Sequence, residues 1–78
     1  MMTEREVMNA VALELIQARI KFPAWPKDTV HAAAIVCEES GELIRAALQY
    51  SDENGPLAAC DKEAIQTAAM CVRFLMRS

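Results

Sequence analysis

Glu38-Glu39-x-x-Glu42 is the segment whose residue types and spacing most clearly permit chemistry. Residues three apart on a helix are offset by about 60° around its axis, so the side chains of Glu39 and Glu42 would be neighbours. Two neighbouring carboxylates repel each other unless a cation lies between them, and their hard oxygen atoms suit Mg²⁺ or Mn²⁺. The spacing is therefore compatible with a divalent-cation site, to which Glu63 would add a third carboxylate and Gln66 a neutral oxygen.

A solvated helix face is the alternative interpretation of these acids, with Arg45 or Lys62 as their partners. Pairs of opposite charge at helical spacing are common on exposed surfaces. Glu39 nevertheless favours the cation, because it falls on the apolar face of the predicted helix. The apolar residues at that spacing are Val36, Leu43, Ala46 and Tyr50. A carboxylate on a packed face is costly unless a charge or hydrogen bonds compensate it.

Three helices are predicted to carry these side chains. Apolar residues recur at helical spacing in three stretches, and no stretch alternates with the period of a strand for long enough to matter. Thr3 and Glu6 fit a capping box at the start of the first helix, and Asp28 or Thr29 is suited to cap the second. The expected helices span approximately residues 3–20, 28–50 and 57–76, with position 61 as an alternative start for the third.

The length and composition favour an all-α domain that associates with itself. A chain of 78 residues allows one domain, residues 1–78, and such a short chain buries only about 60% of the surface that it exposes when unfolded. Apolar residues make up 54% of the sequence and aromatic residues only 5%, so most of the apolar content is aliphatic and suits helix packing. Because three short helices cannot bury this much apolar surface, we expect a helical bundle completed by homo-oligomerisation, as a homodimer or homotetramer.

The charge pattern argues against a polymeric nucleic acid as a partner. The net charge is −3, and the sequence has no run of basic residues and no aromatic residues interleaved with Arg or Lys. Binding to a nucleic-acid backbone needs a basic surface that neutralises the phosphates. A single nucleotide remains compatible with the sequence, because a metal ion can supply the positive charge that the protein lacks.

Cysteine usage and the length of the apolar runs indicate a reducing compartment and no membrane segment. Cys37, Cys60 and Cys71 lie within or beside apolar stretches without a CxxC spacing, so we expect small buried thiols rather than a disulfide or zinc framework. No apolar run approaches the length of a membrane span, and the first residues include acids where a signal or transit peptide would be basic. The sequence therefore predicts a cytoplasmic protein without a membrane partner.

Three stretches between residues 22 and 75 form a further pattern. They are Phe22-Pro-Ala-Trp25-Pro, His31-Ala-Ala-Ala-Ile-Val-Cys-Glu-Glu-Ser-Gly-Glu-Leu43 and Lys62-Glu-Ala-Ile-Gln-Thr-Ala-Ala-Met-Cys-Val-Arg-Phe-Leu75. In this order they resemble the MazG-like, all-α nucleoside triphosphate pyrophosphohydrolases, and the last is similar to the third helix of small phage and prophage members. In that family an ExxE pair and a later ExxD pair bind Mg²⁺. The resemblance assigns the first pair to Glu39 and Glu42 and the second to Glu63 and Gln66, where Gln66 departs from the family's Asp.

The resemblance also implies a reaction. Water would attack the α-phosphorus of a nucleoside triphosphate, which releases pyrophosphate and leaves the monophosphate, with Glu38 or Glu42 as the general base. Trp25 and Phe22 would stack on the nucleobase. The alternative for these two aromatic residues is a hydrophobic plug over the end of the bundle.

The remaining substrate candidates are basic side chains. His31, in the first turn of the second helix, would contact phosphate or else face solvent. Lys21 is a further candidate for a phosphate contact, together with Lys27 and Arg73, and an ordinary surface position is the alternative for each of these cations.

Two further functions remain open, and Gln66 supports the first of them. A glutamine brings an oxygen ligand but no charge, so the alternative function is that of a catalytically weak or inactive relative that binds a nucleotide or a protein. A purely structural helical oligomer is the third hypothesis. It predicts negligible metal affinity and a gain of stability when Glu39 is replaced by Gln, because an uncompensated buried charge is removed.

Overall fold

The computed structural model describes residues 1–77, and within that range the chain is all-helical, with no strand. The three helices are α1 (Glu4–Lys21), α2 (Thr29–Glu53) and α3 (Leu57–Leu75). The all-α prediction is therefore confirmed. None of the helices in this range combines the length and the hydropathy needed to cross a bilayer.

Two predicted helix starts are confirmed by their hydrogen bonds. The amide of Thr3 donates to Oε1 of Glu6 at 2.9 Å, and the amide of Glu6 donates to Oγ1 of Thr3 at 3.2 Å, which is the reciprocal pair of a capping box. Asp28 caps α2 by accepting from the amide of His31 at 2.8 Å. Each cap satisfies amides that have no partner within the first turn of a helix.

The predicted end of α2 is wrong by three residues. The helix continues beyond Tyr50 to Glu53 and stops where Asn54 adopts a left-handed conformation, with φ of 57°. The amide of Gly55 then donates to the carbonyl oxygen of Gln49 at 2.8 Å, which satisfies a carbonyl in the last turn. The turn-forming residues of the sequence marked the connection correctly, but a single left-handed residue sets the stop.

Helix α3 lies between the other two helices. It packs against both α1 and α2, whereas within residues 1–77 no Cα atom of α1 lies within 8 Å of a Cα atom of α2. The buried centre of the α1–α3 contact consists of Ala18, Ala69 and Met70. Val11, Leu15, Trp25, Ile35 and Val36 pack around this centre and are partly buried. Alanine at the contact lets the helix axes approach closely, so the small core is held by short side chains.

Much of the predicted packing surface is exposed in the single chain. Cys37 and Cys71 are exposed and Cys60 is half-buried, so the expectation of buried thiols is wrong for the first two. Tyr50, predicted on the packed face of α2, is 49% exposed. The helices carry apolar residues on several faces, and the three helices of a single chain are too few to cover all of these faces.

Candidate metal centre

Three carboxylates from two helices converge in the structure. Glu39 and Glu42 on α2 and Glu63 on α3 each offer an oxygen, and these oxygens lie within 4.8 Å of one another. Glu39 and Glu63 are half-buried, and Glu42 is exposed. The structure thus brings together the three acids that the sequence singled out, one of them exposed and two half-buried.

The helical spacing accounts for the convergence. Glu39 and Glu42 are three apart on α2, so their side chains lie next to each other, and α2 packs along α3. The three-residue connection between Glu53 and Leu57 returns the chain, which brings Glu63 back alongside α2. No insertion or long loop is needed, because the two halves of the site lie on consecutive helices.

The surroundings of Glu39 and Glu63 raise the pKa of both carboxyl groups. Burial is the largest cause of the raised pKa of Glu39, and the charges of Glu42, Glu63, Glu38 and Glu14 add to it. Burial also raises the pKa of Glu63, followed by the charge of Glu42 and a hydrogen bond with its carboxyl group. A raised pKa here means that negative charge is disfavoured by its surroundings. A cation between the carboxylates would reverse that effect.

Two carboxylate oxygens have no donor. Oε2 of Glu39 and Oε2 of Glu63 are buried, and no group within residues 1–77 donates a hydrogen bond to either. A buried carboxylate oxygen without a donor or a cation is costly. The residues present therefore fit a hard divalent cation, which takes carboxylate oxygens together with water and phosphate oxygens.

Glu14 on α1 is a carboxylate that the sequence reasoning missed. It is half-buried, and its charge contributes to the raised pKa of Glu39, which places it in the electrostatic surroundings of the site. Its helical spacing was visible in the sequence, where it falls among the apolar residues of α1. Only the packing of α1 on α3 shows which acids it faces.

The remaining predicted ligand and base take different positions. Glu38 is exposed and lies outside the group of three converging carboxylates. Gln66 is half-buried on α3, one helical turn beyond Glu63. Its amide oxygen carries no charge, so the charged part of the site consists of three acids rather than the four of the family pattern.

A cavity of about 670 Å³ opens beside the acids, and we call it the aromatic cavity. Its lining includes Phe22, Trp25, His31, Ile35 and Glu39. Five of the six side chains predicted to contact the substrate therefore line one cavity that reaches a carboxylate of the site, namely Phe22, Trp25, His31, Lys27 and Arg73. The sixth, Lys21, is not among the lining residues, and its ammonium nitrogen, Nζ, lies 5.4 Å from the ring centroid of Phe22.

Arg73 fixes the loop that forms the wall of this cavity. It is 6% exposed, and its guanidinium donates to the carbonyl oxygens of Phe22 at 2.7 Å and Ala24 at 3.4 Å. The guanidinium carbon also lies 4.8 Å from the ring centroid of Trp25. Burial and the nearby Arg19 lower the pKa of Arg73, which remains charged at any physiological pH. Arg73 is thus a structural residue rather than the surface cation of the sequence interpretation.

Comparisons of this chain with protein-family models, with curated proteins and with solved structures found no match. The geometry of the carboxylates and of the adjoining cavity therefore carries the functional argument.

Proposed function

We propose that the chain is a Mg²⁺-dependent nucleoside triphosphate pyrophosphohydrolase. The observation that carries the proposal is the convergence of Glu39, Glu42 and Glu63, with two buried oxygens to which no group among residues 1–77 donates. Three carboxylates without a cation repel one another, so the arrangement is costly unless an ion offsets it. The resemblance in sequence to the MazG-like enzymes gives the same assignment for these residues.

The aromatic cavity supports a nucleoside as the organic part of the substrate. Its walls include the rings of Phe22 and Trp25, and nucleobases stack on such rings. Glu39 lies at the edge of the same cavity, so a bound nucleoside would hold its phosphates near the acids. His31 lines the cavity as well and is suited to contact a phosphate oxygen.

The proposed reaction is the hydrolysis of one phosphoanhydride bond. A water oxygen forms a bond to the α-phosphorus, and the bond from the α-phosphorus to the oxygen bridging to the β-phosphorus breaks, which yields the monophosphate and pyrophosphate. Glu42 or Glu38 accepts the proton of the water, since both are exposed carboxylates beside the site. When bound, Mg²⁺ supplies positive charge to the phosphates and lowers the pKa of a water.

Phosphorus NMR of the pure protein with each of the common nucleoside triphosphates, in Mg²⁺ and in Mn²⁺, tests this activity. We expect monophosphate and pyrophosphate as the only products, and at least a hundredfold loss of rate in Glu39→Gln. Glu53→Gln removes an exposed carboxylate from the end of the same helix and serves as the matched control. Absence of turnover with every nucleotide and both metals would refute the proposal.

A nucleotide-binding or protein-interaction module without turnover is the second candidate, and Gln66 favours it. The site has three carboxylates, and the fourth position of the family pattern is neutral. Gln66→Asp separates the two candidates. A large gain in rate would indicate an active site weakened by Gln66, whereas metal-dependent nucleotide binding by calorimetry, with no turnover in either protein, would indicate a binding module.

Self-association is the second part of the proposal, and α2 supplies the argument. The face of α2 opposite the core carries exposed apolar and small residues at alternating spacings of four and three, which we call the outer face of α2. Its residues are Val30, Ala34, Cys37, Gly41, Ile44 and Leu48. A helix that is apolar on two opposite faces is expected to be covered on both. We propose that a second copy of the chain covers the outer face in a homodimer, alone or within a homotetramer.

A further inference from the structure

A second cavity, distinct from the one beside the acids, is rich in positive charge. It measures about 370 Å³ and lies where the end of α1, the loop before α2 and the end of α3 meet. Arg19, Lys27, Arg73 and Arg77 all line it, together with Trp25. We call it the arginine cavity. These four cations are half of the eight Lys and Arg residues of a chain whose net charge is −3.

The charge of the arginine cavity is not balanced from within its walls. Among residues 1–77, neither an aspartate nor a glutamate lines it. Arg19 and Arg73 are close enough for the charge of the first to lower the pKa of the second. Like charges held together raise the energy of the folded chain unless a counter-charge is bound, and a multivalent anion provides the strongest compensation.

The guanidinium groups are positioned in advance by contacts within the chain. Nη1 of Arg77 donates to the carbonyl oxygen of Phe74 at 2.6 Å, and its guanidinium carbon lies 3.8 Å from the Phe74 ring centroid. Nη2 of Arg19 lies 3.3 Å from Sδ of Met76. Each guanidinium has five N–H donors, so donors remain for an anion after these contacts are made. Pre-positioned guanidinium groups lose less entropy on binding a phosphate and can grip it through two donors.

We propose that the arginine cavity is a metal-independent binding site for an oligophosphate, either inorganic pyrophosphate or the phosphate chain of a nucleotide. Four cations suit an anion with several charges better than a single phosphate, because each added charge finds another guanidinium or ammonium group. A volume of about 370 Å³ is within the range of sites for small molecules. None of Glu39, Glu42 and Glu63 lines this cavity, so binding here does not require the metal centre.

The arginine cavity shares part of its lining with the aromatic cavity. Trp25, Pro26, Lys27 and Arg73 line both cavities, so an oligophosphate in one contacts residues that form the wall of the other. The occupied arginine cavity would therefore hold the loop of residues 22–28 in place. This gives product pyrophosphate, or a second nucleotide, a physical means of changing affinity in the aromatic cavity.

Titration of the fluorescence of Trp25 tests the proposal directly. The chain has one tryptophan, and it lines the arginine cavity. The protein is titrated in EDTA, at constant ionic strength, with pyrophosphate, ADP, phosphate and sulfate in separate arms. We expect a saturable change with pyrophosphate or ADP, at least tenfold tighter than with phosphate or sulfate. Tighter binding of pyrophosphate identifies the inorganic anion as the occupant, and tighter binding of ADP identifies the nucleotide.

Variants of the two arginines that line only this cavity locate the binding. Arg19→Gln with Arg77→Gln should weaken the dissociation constant at least tenfold, and each single variant should weaken it by less. Arg5→Gln, an exposed cation at the other end of α1, is the matched control and should bind as the wild type does. Circular dichroism of each variant reports whether the helices are retained, and the single variants serve as the test where the double variant unfolds.

Three results would overturn the proposal. They are no saturable change with either oligophosphate, equal affinity for sulfate, and equal affinity in Arg5→Gln and Arg19→Gln with Arg77→Gln. The outcome is separate from that of the proposed hydrolase activity, because Glu39→Gln should bind pyrophosphate in EDTA as tightly as the wild type. A requirement for Mg²⁺, or loss of binding in Glu39→Gln, would place the anion at the metal centre and contradict the arginine cavity.

Discussion

Arg73, near the end of α3, places its guanidinium carbon 4.8 Å from the ring centroid of Trp25 in the loop before α2. The same guanidinium donates to the carbonyl oxygen of Phe22 at 2.7 Å, so one side chain contacts both the first residue and the middle of the loop. The loop in turn forms a wall of both cavities. Order in the two candidate binding sites therefore depends on a buried cation that itself has no catalytic part to play.

Arg73→Met should destabilise the fold by about 2 kcal/mol or more, because loop carbonyls lose a charged donor and the aromatic ring loses its cation. Chemical denaturation followed by circular dichroism measures the free energy of unfolding. Arg45→Met, at an exposed position of α2, should change it by less than about 0.5 kcal/mol. An equal effect of the two substitutions would contradict the role assigned to Arg73.

The raised pKa of Glu39 predicts how the metal-free protein responds to pH. An acid whose pKa is raised on folding binds more protons when folded, so its contribution to stability falls as pH rises from about 4.5 through the raised pKa. In EDTA, Glu39→Gln should therefore be more stable than the wild type at pH 7, and the difference should shrink toward pH 4. Denaturant titrations at several pH values measure it, and a constant difference across that range would be inconsistent with the raised pKa.

Divalent cations should stabilise the wild type. A ligand that binds only the folded chain adds about 2.7 kcal/mol to the free energy of unfolding at a concentration one hundred times its dissociation constant. Thermal melts with and without Mg²⁺ or Mn²⁺ should show this gain in the wild type and in Glu53→Gln, and not in Glu39→Gln. A gain of the same size in all three proteins would assign the binding to a site other than the three carboxylates.

A charged side chain placed on the outer face of α2 should change the oligomeric state. Ile44 is 62% exposed and lies on this face, so Ile44→Glu should produce monomers where the wild type forms dimers or tetramers. Ala12→Glu adds the same charge at an exposed position of α1, away from the outer face of α2, and should leave the assembly intact. Sedimentation velocity distinguishes the species. A monomeric wild type at high concentration would contradict the proposed homo-oligomer.

Gly41, which lies on the same outer face of α2, also favours the close approach of a second helix. Beyond the neighbouring backbone of its own helix, a methyl group added at Gly41 would meet no atom of residues 1–77 within 4 Å, so no contact among these residues requires glycine there. Glycine in the interior of a helix costs about 1 kcal/mol relative to alanine. Close approach of a second helix to the outer face would account for the glycine.

The sequence predicted the local features of the fold well. The capping box at Thr3 and Glu6 and the cap at Asp28 depend on neighbouring residues, and both are present. Helix α2 ran past its predicted end, because the serine and acids after Tyr50 tolerate a helix until the left-handed Asn54 stops it. Turn-forming composition located the connection, but it did not fix the residue at which the helix ends.

Residues whose positions depend on packing between helices were harder to predict. Arg73 has the sequence appearance of a surface cation near a helix end, and only the docking of the loop on α3 buries it. Glu14 is far from Glu39 along the chain, and its influence appears only when α1 packs beside α3. Glu39, Glu42 and Glu63 were predictable together, because helical spacing and one short connection are enough to bring them close.

Crystals grown with Mn²⁺ and a nucleotide, measured at a wavelength where manganese scatters anomalously, test the central claim most directly. The account predicts an anomalous peak in contact with carboxylate oxygens of Glu39, Glu42 and Glu63, and its loss in crystals of Glu39→Gln grown in the same way. Well-ordered carboxylates with no anomalous peak between them, or a peak bound only by other residues, would contradict the metal centre.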